Sequence, residues 1–140
     1  MMGDIAGEPL RLDWPVRVYW EDTDGGGIVY HSVYLNYFER ARTEWLRARG
    51  LDQRTLRDTE RVQFAVVDMN VRWARPARFD DLLTASAELT ERGGASFSFL
   101  QRLTRDGEVL CEATVRVAVV DADTLKPRRV PPVVLERIAS

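Results

Sequence analysis

The spacing of apolar residues changes along the chain from a helical period to an alternating one, and this change predicts an α+β domain. Between about Val33 and Arg49, apolar residues recur at intervals of three and four, the period of one helix face. That stripe consists of Tyr34, Phe38, Ala41 and Trp45. Gly50 follows where a C-terminal helix cap is expected. No other segment carries a helical pattern of this length.

Five segments instead alternate between apolar and polar positions, which is typical of strands. They are VRVYW (16–20), VQFAVVDMNVRW (62–73), LLTASAELTE (82–91), ASFSFLQRL (95–103) and VLCEATVRVAVV (109–120). The alternation slips near Val66, which predicts a bulge. Asp106-Gly107 predicts a two-residue hairpin turn. Short connections of this kind favour an antiparallel meander.

The chain of 140 residues is expected to form a single domain, with residues 1–13 as a loose arm. The segment from Gly50 to Val62 reads as a polar connection with room for one helical turn, and VVLERIA after the last prolines reads as a short helix. We therefore predict a long central helix wrapped by a curved five-stranded antiparallel sheet. One helix covers only one sheet face, so the other face needs a cover, most simply a second copy of the chain.

Composition narrows the function classes. A net charge of −2 offers no overall field for nucleic acid. The single cysteine, Cys111, excludes an internal disulfide framework and reads as a small core residue. No run approaches the roughly 20 apolar residues of a membrane helix, and no signal peptide is visible at the start, so a cytoplasmic protein is expected.

The segment EDTDGGGIVYH (21–31) places three glycines and two aspartates directly before the long helix. It is not a calcium loop, because Gly26 and Val33 occupy positions where that loop needs oxygen ligands. The glycine spacing also matches neither the dinucleotide-binding nor the Walker pattern. A plain turn with acids that cap the helix is the alternative to a chemical role.

A chemical role accounts for all parts of the segment together. A helix N-terminus presents unpaired N–H groups with partial positive charge, which suits a carbonyl oxygen that becomes negative during attack. Glycines let the backbone approach that carbonyl closely. The carboxylate of Asp24 is ionised at neutral pH and could attack the carbonyl carbon or deprotonate a water. Such a weak nucleophile suits a reactive acyl compound such as a thioester.

The motif Thr23-Asp24-x-x-Gly27-Ile28-Val29-Tyr30, followed by the helix FERARTEWL, closely resembles the hotdog-fold acyl-CoA thioesterases of the 4-hydroxybenzoyl-CoA thioesterase family. Within that family it is most similar to the Tol-Pal-associated, YbgC-type branch. The resemblance spans about residues 15 to 132 and includes RPARFDDLL, ERGGASFSF and VDADTLKPRRVP.

The resemblance implies a hotdog fold and hydrolysis of acyl-CoA or acyl-carrier-protein thioesters without a metal or redox cofactor. It assigns catalysis to Asp24, as nucleophile or general base, and to His31, whose backbone N–H polarises the carbonyl and whose side chain assists in this branch. Trp20 stands where the branch often has a tyrosine, which puts a role for that hydroxyl in doubt. Asp22 reads as a turn or cap residue, and Glu39 is the reserve catalytic carboxylate.

Substrate binding is expected from the segment after Asp24 and from arginines that hold the phosphates of coenzyme A. The assigned residues are Gly27, Ile28, Val29, Tyr34, Arg75, Arg78, Gly94, Ala95, Ser96 and Arg128. The resemblance also implies a homo-oligomer, a dimer or a dimer of dimers, with shared sites.

Two other functions stay open at this point. One is a hotdog hydratase or dehydratase, and the other is a non-catalytic acyl-CoA or acyl-carrier-protein binding subunit of the Tol-Pal system. Asp24 discriminates between a thioesterase and a pure binder, since a binder has no need of a carboxylate beside the thioester.

Overall fold

A computed structural model describes residues 10–138, in which one five-stranded antiparallel sheet carries a long helix across one face. The strands are β1 (Arg11–Arg17), β2 (Val62–Trp73), β3 (Leu82–Arg92), β4 (Ser96–Arg105) and β5 (Glu108–Asp121). The helices are α1 (His31–Ala48), α2 (Gln53–Glu60) and α3 (Pro132–Ile138), and one 3-10 turn covers Trp20–Asp22. The predicted α+β class is confirmed.

The strands lie in the order β1-β3-β4-β5-β2, so β3, β4 and β5 form the predicted meander and β1 and β2 lie at the edges. The hairpin between β4 and β5 turns at Asp106 and Gly107, whose φ angles of 51° and 82° are both positive. That combination is the one a two-residue turn of type I′ requires. The register of β2 shifts between Val66 and Asp68, so the predicted bulge is confirmed.

α1 packs against β1, β3 and β4 through the apolar stripe predicted from the sequence. The indole of Trp45 meets the ring of Phe99 edge-on, with centroids 5.1 Å apart. Ala85 and Ala87 on β3 are fully buried, and their small side chains let the helix approach the sheet closely. Burial of this one stripe determines which face of α1 is turned to solvent.

The N-terminal strand lies earlier in the chain than its sequence pattern predicted. β1 begins at Arg11, so the prediction of a loose arm is wrong for residues 11–13, while residues 1–9 lie outside the described part of the chain. β1 contains Pro15, which lacks an N–H group, and within residues 10–138 this strand is at the edge of the sheet and pairs with β3 on one side. An edge strand tolerates proline on its unpaired side.

Trp20 also departs from its predicted position on a strand face beside Val16 and Val18. The chain bends after β1 into the 3-10 turn, in which Thr23 donates its backbone N–H to the Trp20 carbonyl at 3.0 Å. This bend leaves Trp20 57% exposed, with its ring edge-on to Phe79 at 5.3 Å. The two valines are buried as expected.

The connection after α1 contains more helix than predicted. Gly50 has the positive φ of a helix-terminating residue, 77°, and α2 then extends over eight residues rather than one turn. The Asp52 side chain caps α2 by accepting from the Arg54 backbone N–H at 3.0 Å, and Leu56 is buried beneath it. Within residues 10–138, no helix has both the length and the hydropathy needed to cross a bilayer.

Candidate active site

The segment between β1 and α1 closes on itself before the helix begins. Thr23 pairs with Val29 as an isolated antiparallel bridge, and the Asp24 backbone N–H donates to the Ile28 carbonyl at 3.0 Å. The Val29 N–H donates to the Ala77 carbonyl at 2.9 Å, which docks the loop against the chain after β2. Asp24 therefore stands at the base of a tight loop with fixed ends.

The three glycines each meet a requirement of this loop. Gly25 and Gly27 have φ angles of +90° and +92°, a backbone region that residues with a Cβ rarely adopt. Gly26 donates its backbone N–H to Asp24 Oδ1 at 2.7 Å, and a Cβ on Gly26 would lie 3.1 Å from that oxygen. The loop thus orients the Asp24 carboxylate through one oxygen, and no hydrogen bond within residues 10–138 engages the other.

Asp22 ties the same loop to the middle of α1. Its Oδ2 accepts from the Tyr19 backbone N–H at 2.9 Å and from the Tyr37 hydroxyl at 2.8 Å. Its backbone carbonyl accepts from the Tyr30 N–H at 3.0 Å. Burial, followed by the bond to the Asp22 carboxylate, raises the pKa of Tyr37, so the phenol keeps the proton it donates. Asp22 therefore has the turn role expected from the sequence.

α1 begins at His31, two residues before the start that its apolar period indicated. The preceding Tyr30 is extended, with φ −68° and ψ 143°, and makes no side-chain cap. The first-turn N–H groups thus have no side-chain acceptor among the described residues, and the positive end of the helix dipole lies here. The His31 ring is exposed and meets the Trp73 indole edge-on at 5.2 Å.

Asp24 and the start of α1 line a common cleft of about 370 Å³. Its lining residues are Asp24, Ile28, Val29, Tyr30, His31, Tyr34, Trp73, Ala74, Arg75 and Pro76. The cleft brings together a carboxylate, a helix N-terminus and an aromatic wall. This combination can position a carbonyl group between a nucleophile or base and a hydrogen-bond donor.

The cleft gathers many of the residues singled out by sequence. Asp24, His31, Ile28, Val29, Tyr34 and Arg75 all line it. Gly27 and Arg78 adjoin it, because the Gly27 carbonyl accepts from the Phe79 N–H at 2.8 Å and Arg78 pairs with Ile28. These two residues shape the loop behind the cleft.

Tyr34 lines the cleft and also fixes the position of the segment after β2, residues 74–76, which forms the opposite side of the cleft. Its buried hydroxyl accepts from the Ala77 backbone N–H at 2.9 Å. Burial raises the pKa of Tyr34, with the Ala77 bond acting in the opposite direction. Arg75 belongs to this segment, and its exposed guanidinium pairs with Glu108 at 2.8 Å. An exposed pair of this kind is weak, so Arg75 can exchange its partner for a phosphate.

The second group of predicted binding residues lies at the far end of β5. The Gly94 carbonyl accepts from the Val130 N–H at 2.8 Å, and the Ala95 carbonyl accepts from the Val119 N–H at 3.0 Å. Arg128 donates its backbone N–H to the Val119 carbonyl at 2.9 Å. Ser96 opens β4 next to these residues. The structure therefore brings Gly94, Ala95, Ser96 and Arg128 together.

This far group does not meet Asp24 within one chain. The cleft wall is attached to the start of β5, where the Leu110 carbonyl accepts from the Arg75 N–H at 3.0 Å. Nine residues separate Leu110 from Val119 along the strand, which corresponds to about 30 Å. The sequence assigned both groups to substrate binding, but the distance between them within one chain depends on the strand order of the sheet.

The structure adds Trp73, Tyr30 and Pro76 to the cleft, none of which sequence reasoning had selected. The available sequence signal for Trp73 was its place at the end of the predicted strand 62–73, and in the structure it is 41% exposed there. Glu39, the reserve carboxylate, does not line the cleft and lies eight residues along α1 from His31, about 12 Å away along the axis.

Comparisons with known proteins agree with this architecture. A family model described as the thioesterase-like superfamily matches residues 18–138. The acyl-CoA thioesterase YbgC of Haemophilus influenzae is 47% identical over 116 residues, which cover 83% of this chain and 85% of that protein. The acyl-CoA thioester hydrolase YbgC of an Escherichia coli O6:H1 strain is 48% identical over 119 residues, which cover 84% and 88%.

A solved structure extends the likeness to the fold. The crystal structure of a probable thioesterase from Bartonella henselae superposes with a TM-score of 0.83 at 37% identity. The match covers 86% of this chain and 99% of that chain. The strand order and the single long helix are therefore those of the hotdog thioesterases, as the resemblance implied.

The Asp22–Tyr37 bond gives a prediction for stability at high pH. Because the pKa of Tyr37 is raised in the folded chain, the unfolded state loses this proton first as the pH rises above about 10. The free energy of unfolding then falls by up to about 1.4 kcal/mol per pH unit for this group. We expect Tyr37→Phe to lower that slope by up to the same amount, measured by urea unfolding between pH 9 and 11.

The matched control is Tyr19→Phe, which removes the hydroxyl of an exposed ring and leaves the Tyr19 backbone bond to Asp22 in place. Equal slopes for the wild type and Tyr37→Phe would contradict the assignment of the buried proton to this pair.

Proposed function

This chain belongs to the thioesterase-like superfamily, and from that premise we propose that it hydrolyses acyl-CoA thioesters to a free acid and coenzyme A. The observation that carries the proposal is the cleft in which Asp24 and the uncapped start of α1 lie together. Relatives at 47% and 48% identity are named as acyl-CoA thioester hydrolases, which supports the same substrate class. The cytoplasmic location and the Tol-Pal association expected from the sequence belong to this proposal.

Asp24 is the proposed nucleophile or general base. Its carboxylate is oriented by the Gly26 N–H through one oxygen, and the other oxygen is available to the thioester carbon or to a water. Either the Asp24 carboxylate or a water that it deprotonates forms a bond to the carbonyl carbon. The carbon–sulfur bond then breaks, and the leaving thiolate takes up a proton. An anhydride, where one forms, is hydrolysed by water in a second step. No metal or redox cofactor is needed for either route.

The His31 backbone N–H is the proposed oxyanion donor. It lies in the first turn of α1, where the helix dipole favours negative charge, and the carbonyl oxygen gains that charge as the carbon is attacked. The His31 side chain is exposed beside Trp73 and is proposed to assist proton transfer to the leaving group.

Assembly through the edge of β2 is part of the proposal. β2 pairs with β5 on one side only, and its exposed Val66 and Val67 lie at the bulge. The other edge strand, β1, is protected by Pro15, whereas β2 contains no proline along its twelve residues. A second copy that pairs along β2 would form hydrogen bonds with the backbone N–H and C=O groups on the outer side of this strand, and the sheet would no longer end there.

The same assembly accounts for the far group at Arg128. That group lies about 30 Å from the cleft along β5, so it can hold the nucleotide end of a bound substrate only if it comes from another chain. The exposed guanidinium of Arg128 pairs with Asp121 at 3.0 Å, and because this pair is weak, a phosphate can replace the carboxylate. We include a shared site, with Asp24 and Arg128 from different chains, in the proposed function.

Replacing Asp24 by asparagine tests the catalytic assignment. The change is nearly isosteric but removes the anionic oxygen, so we expect thiol release from a panel of acyl-CoA substrates to fall by at least about 10²-fold. Circular dichroism should show an unchanged fold. Asp58→Asn on exposed α2 is the control for loss of a carboxylate, and a folded Asp24→Asn with wild-type turnover would refute the assignment of catalysis to Asp24.

Replacing His31 by alanine separates the side chain from the backbone. The N–H stays in place, so any loss of activity belongs to the imidazole. We expect kcat to fall on the order of 10²-fold, because general acid–base assistance is removed. An unchanged rate would assign catalysis at this position to the backbone N–H alone.

Mixed dimers test the shared site. In a purified dimer of one Asp24→Asn chain and one Arg128→Glu chain, a shared arrangement leaves one site with neither substitution. We expect such a dimer to have about half the wild-type activity at low substrate, well above either parent. If the mixed dimer is as inactive as the two single-variant homodimers, both residues belong to the site of the same chain. A monomer that stays fully active on dilution would refute the assembly.

A further inference from the structure

A second pocket, of about 130 Å³, lies between α1, the start of α2 and the sheet. Its sheet side is apolar and includes Phe64, Phe97 and Phe99, while its helix side carries Glu39 and Arg42. A dry apolar cavity of about 150 Å³ holds a benzene molecule, so this pocket is large enough for the end of a hydrocarbon chain.

Arg42 is unusual because it is buried and, within residues 10–138, its hydrogen bond goes to a neutral amide and not to a carboxylate. The residue is only 8% exposed, and its Nη1 donates to Gln101 Oε1 at 2.9 Å. Within residues 10–138 it forms no ion pair. Burial lowers the pKa of its guanidinium, and the charge of Glu39 acts in the opposite direction without outweighing it. A guanidinium has five N–H donors, and one is used by the described chain.

The fold does not need Arg42 to connect the helix to the sheet. Gln101, which is fully buried, donates through Nε2 to the Phe38 carbonyl on α1 at 2.9 Å and to the Ser86 carbonyl on β3 at 3.2 Å. Those two bonds join α1, β3 and β4 without the guanidinium. The remaining donors of Arg42 are therefore available to whatever occupies the pocket that it lines.

An apolar stripe on β2 lies between this pocket and the cleft at Asp24. Trp73, Met69 and Val66 lie opposite Cys111, Val115 and Val117 of β5, all three of which are buried. Side chains directly opposite in a sheet share a face, so the stripe lies on the same face as this buried row. The bulge keeps the stripe in phase. It starts at Trp73 in the cleft and ends at Val66 in the pocket.

We propose that this pocket receives the far end of a long acyl chain and that Arg42 selects a chain ending in a hydroxyl group. The inference rests on the proposed function, because it places the thioester at the start of α1. From His31 to Arg42 the helix advances about 16 Å. An extended chain advances roughly 1.2 Å per bond, so about 13 bonds cover the distance.

The nature of the chain end follows from the two charged residues that line the pocket. A hydroxyl oxygen accepts from Arg42, and its proton is donated to Glu39. A terminal carboxylate would meet the like charge of Glu39, and a terminal methyl would leave the buried guanidinium donors unpaired. A hydroxyl is the end group that matches both.

The test uses S-alkyl coenzyme A thioethers, which bind as substrates do but contain no bond that the enzyme hydrolyses. Titration calorimetry compares thioethers of 12 to 14 carbons that end in a methyl or a hydroxyl. We expect the wild type to bind the hydroxyl form about 10-fold more tightly, as is typical of a bond to a charged donor, and Arg42→Met to prefer the methyl form. Arg57→Met, which removes an exposed arginine of α2, should keep the wild-type preference.

The wild-type comparison needs no variant, so it decides the question even where Arg42→Met does not fold. Equal affinity for the two long thioethers overturns the inference, as does a hydroxyl preference that persists in folded Arg42→Met. A preference of the same size with six-carbon thioethers, which do not reach the pocket, also overturns it. No binding of any thioether would refute the proposed function itself, whereas equal binding of both refutes only the role of Arg42.

Discussion

Burial of one apolar stripe of α1 against the concave face of the sheet is the constraint on which the other features of this structure depend. The stripe places Trp45 against Phe99 and brings the helix close to the small residues of β3. Once the helix lies there, its N-terminus has one possible location, beside the loop that carries Asp24. The core and the candidate site are thus consequences of the same packing, because the helix that fills the core also provides the positive end that faces the cleft.

The loop before the helix shows how an exposed carboxylate is held without a rigid element of its own. Two glycines supply backbone angles that close the loop, and the third lets its N–H group approach Asp24. Asp22 bonds to Tyr37 in the middle of α1, so the loop is also attached to the core. Asp22 and Asp24 therefore have different roles: Asp22 accepts structural hydrogen bonds, whereas one carboxylate oxygen of Asp24 accepts none within residues 10–138.

The three arginines to which binding roles are assigned differ in the partners of their guanidinium groups. Arg75 and Arg128 have exposed carboxylate partners, and such pairs contribute little and exchange readily. Arg42 is buried, where an unpaired charge is costly, and its hydrogen bond within residues 10–138 goes to the neutral amide of Gln101. The first two are suited to the phosphates of the proposed substrate, whereas Arg42 is suited to a single oxygen in the pocket that it lines. The proposed assembly rests on the edge of β2 and on the distance between Arg128 and the cleft.

Local pattern by itself determined most elements of the fold. The long helix, the span of β2 with its bulge, the Asp106-Gly107 turn and the position of Asp24 before the helix all follow from periodicity and residue type, which act over a few neighbouring residues. Tertiary structure decided what depends on distant partners. β1 could extend through Pro15 only because it lies at an edge, and Trp20 left its predicted face because the chain bends after β1. The separation of Arg128 from Asp24 and the pairing of Arg42 with Gln101 depend on strand order, and strand order is set by which faces are buried together, a property that no short segment contains.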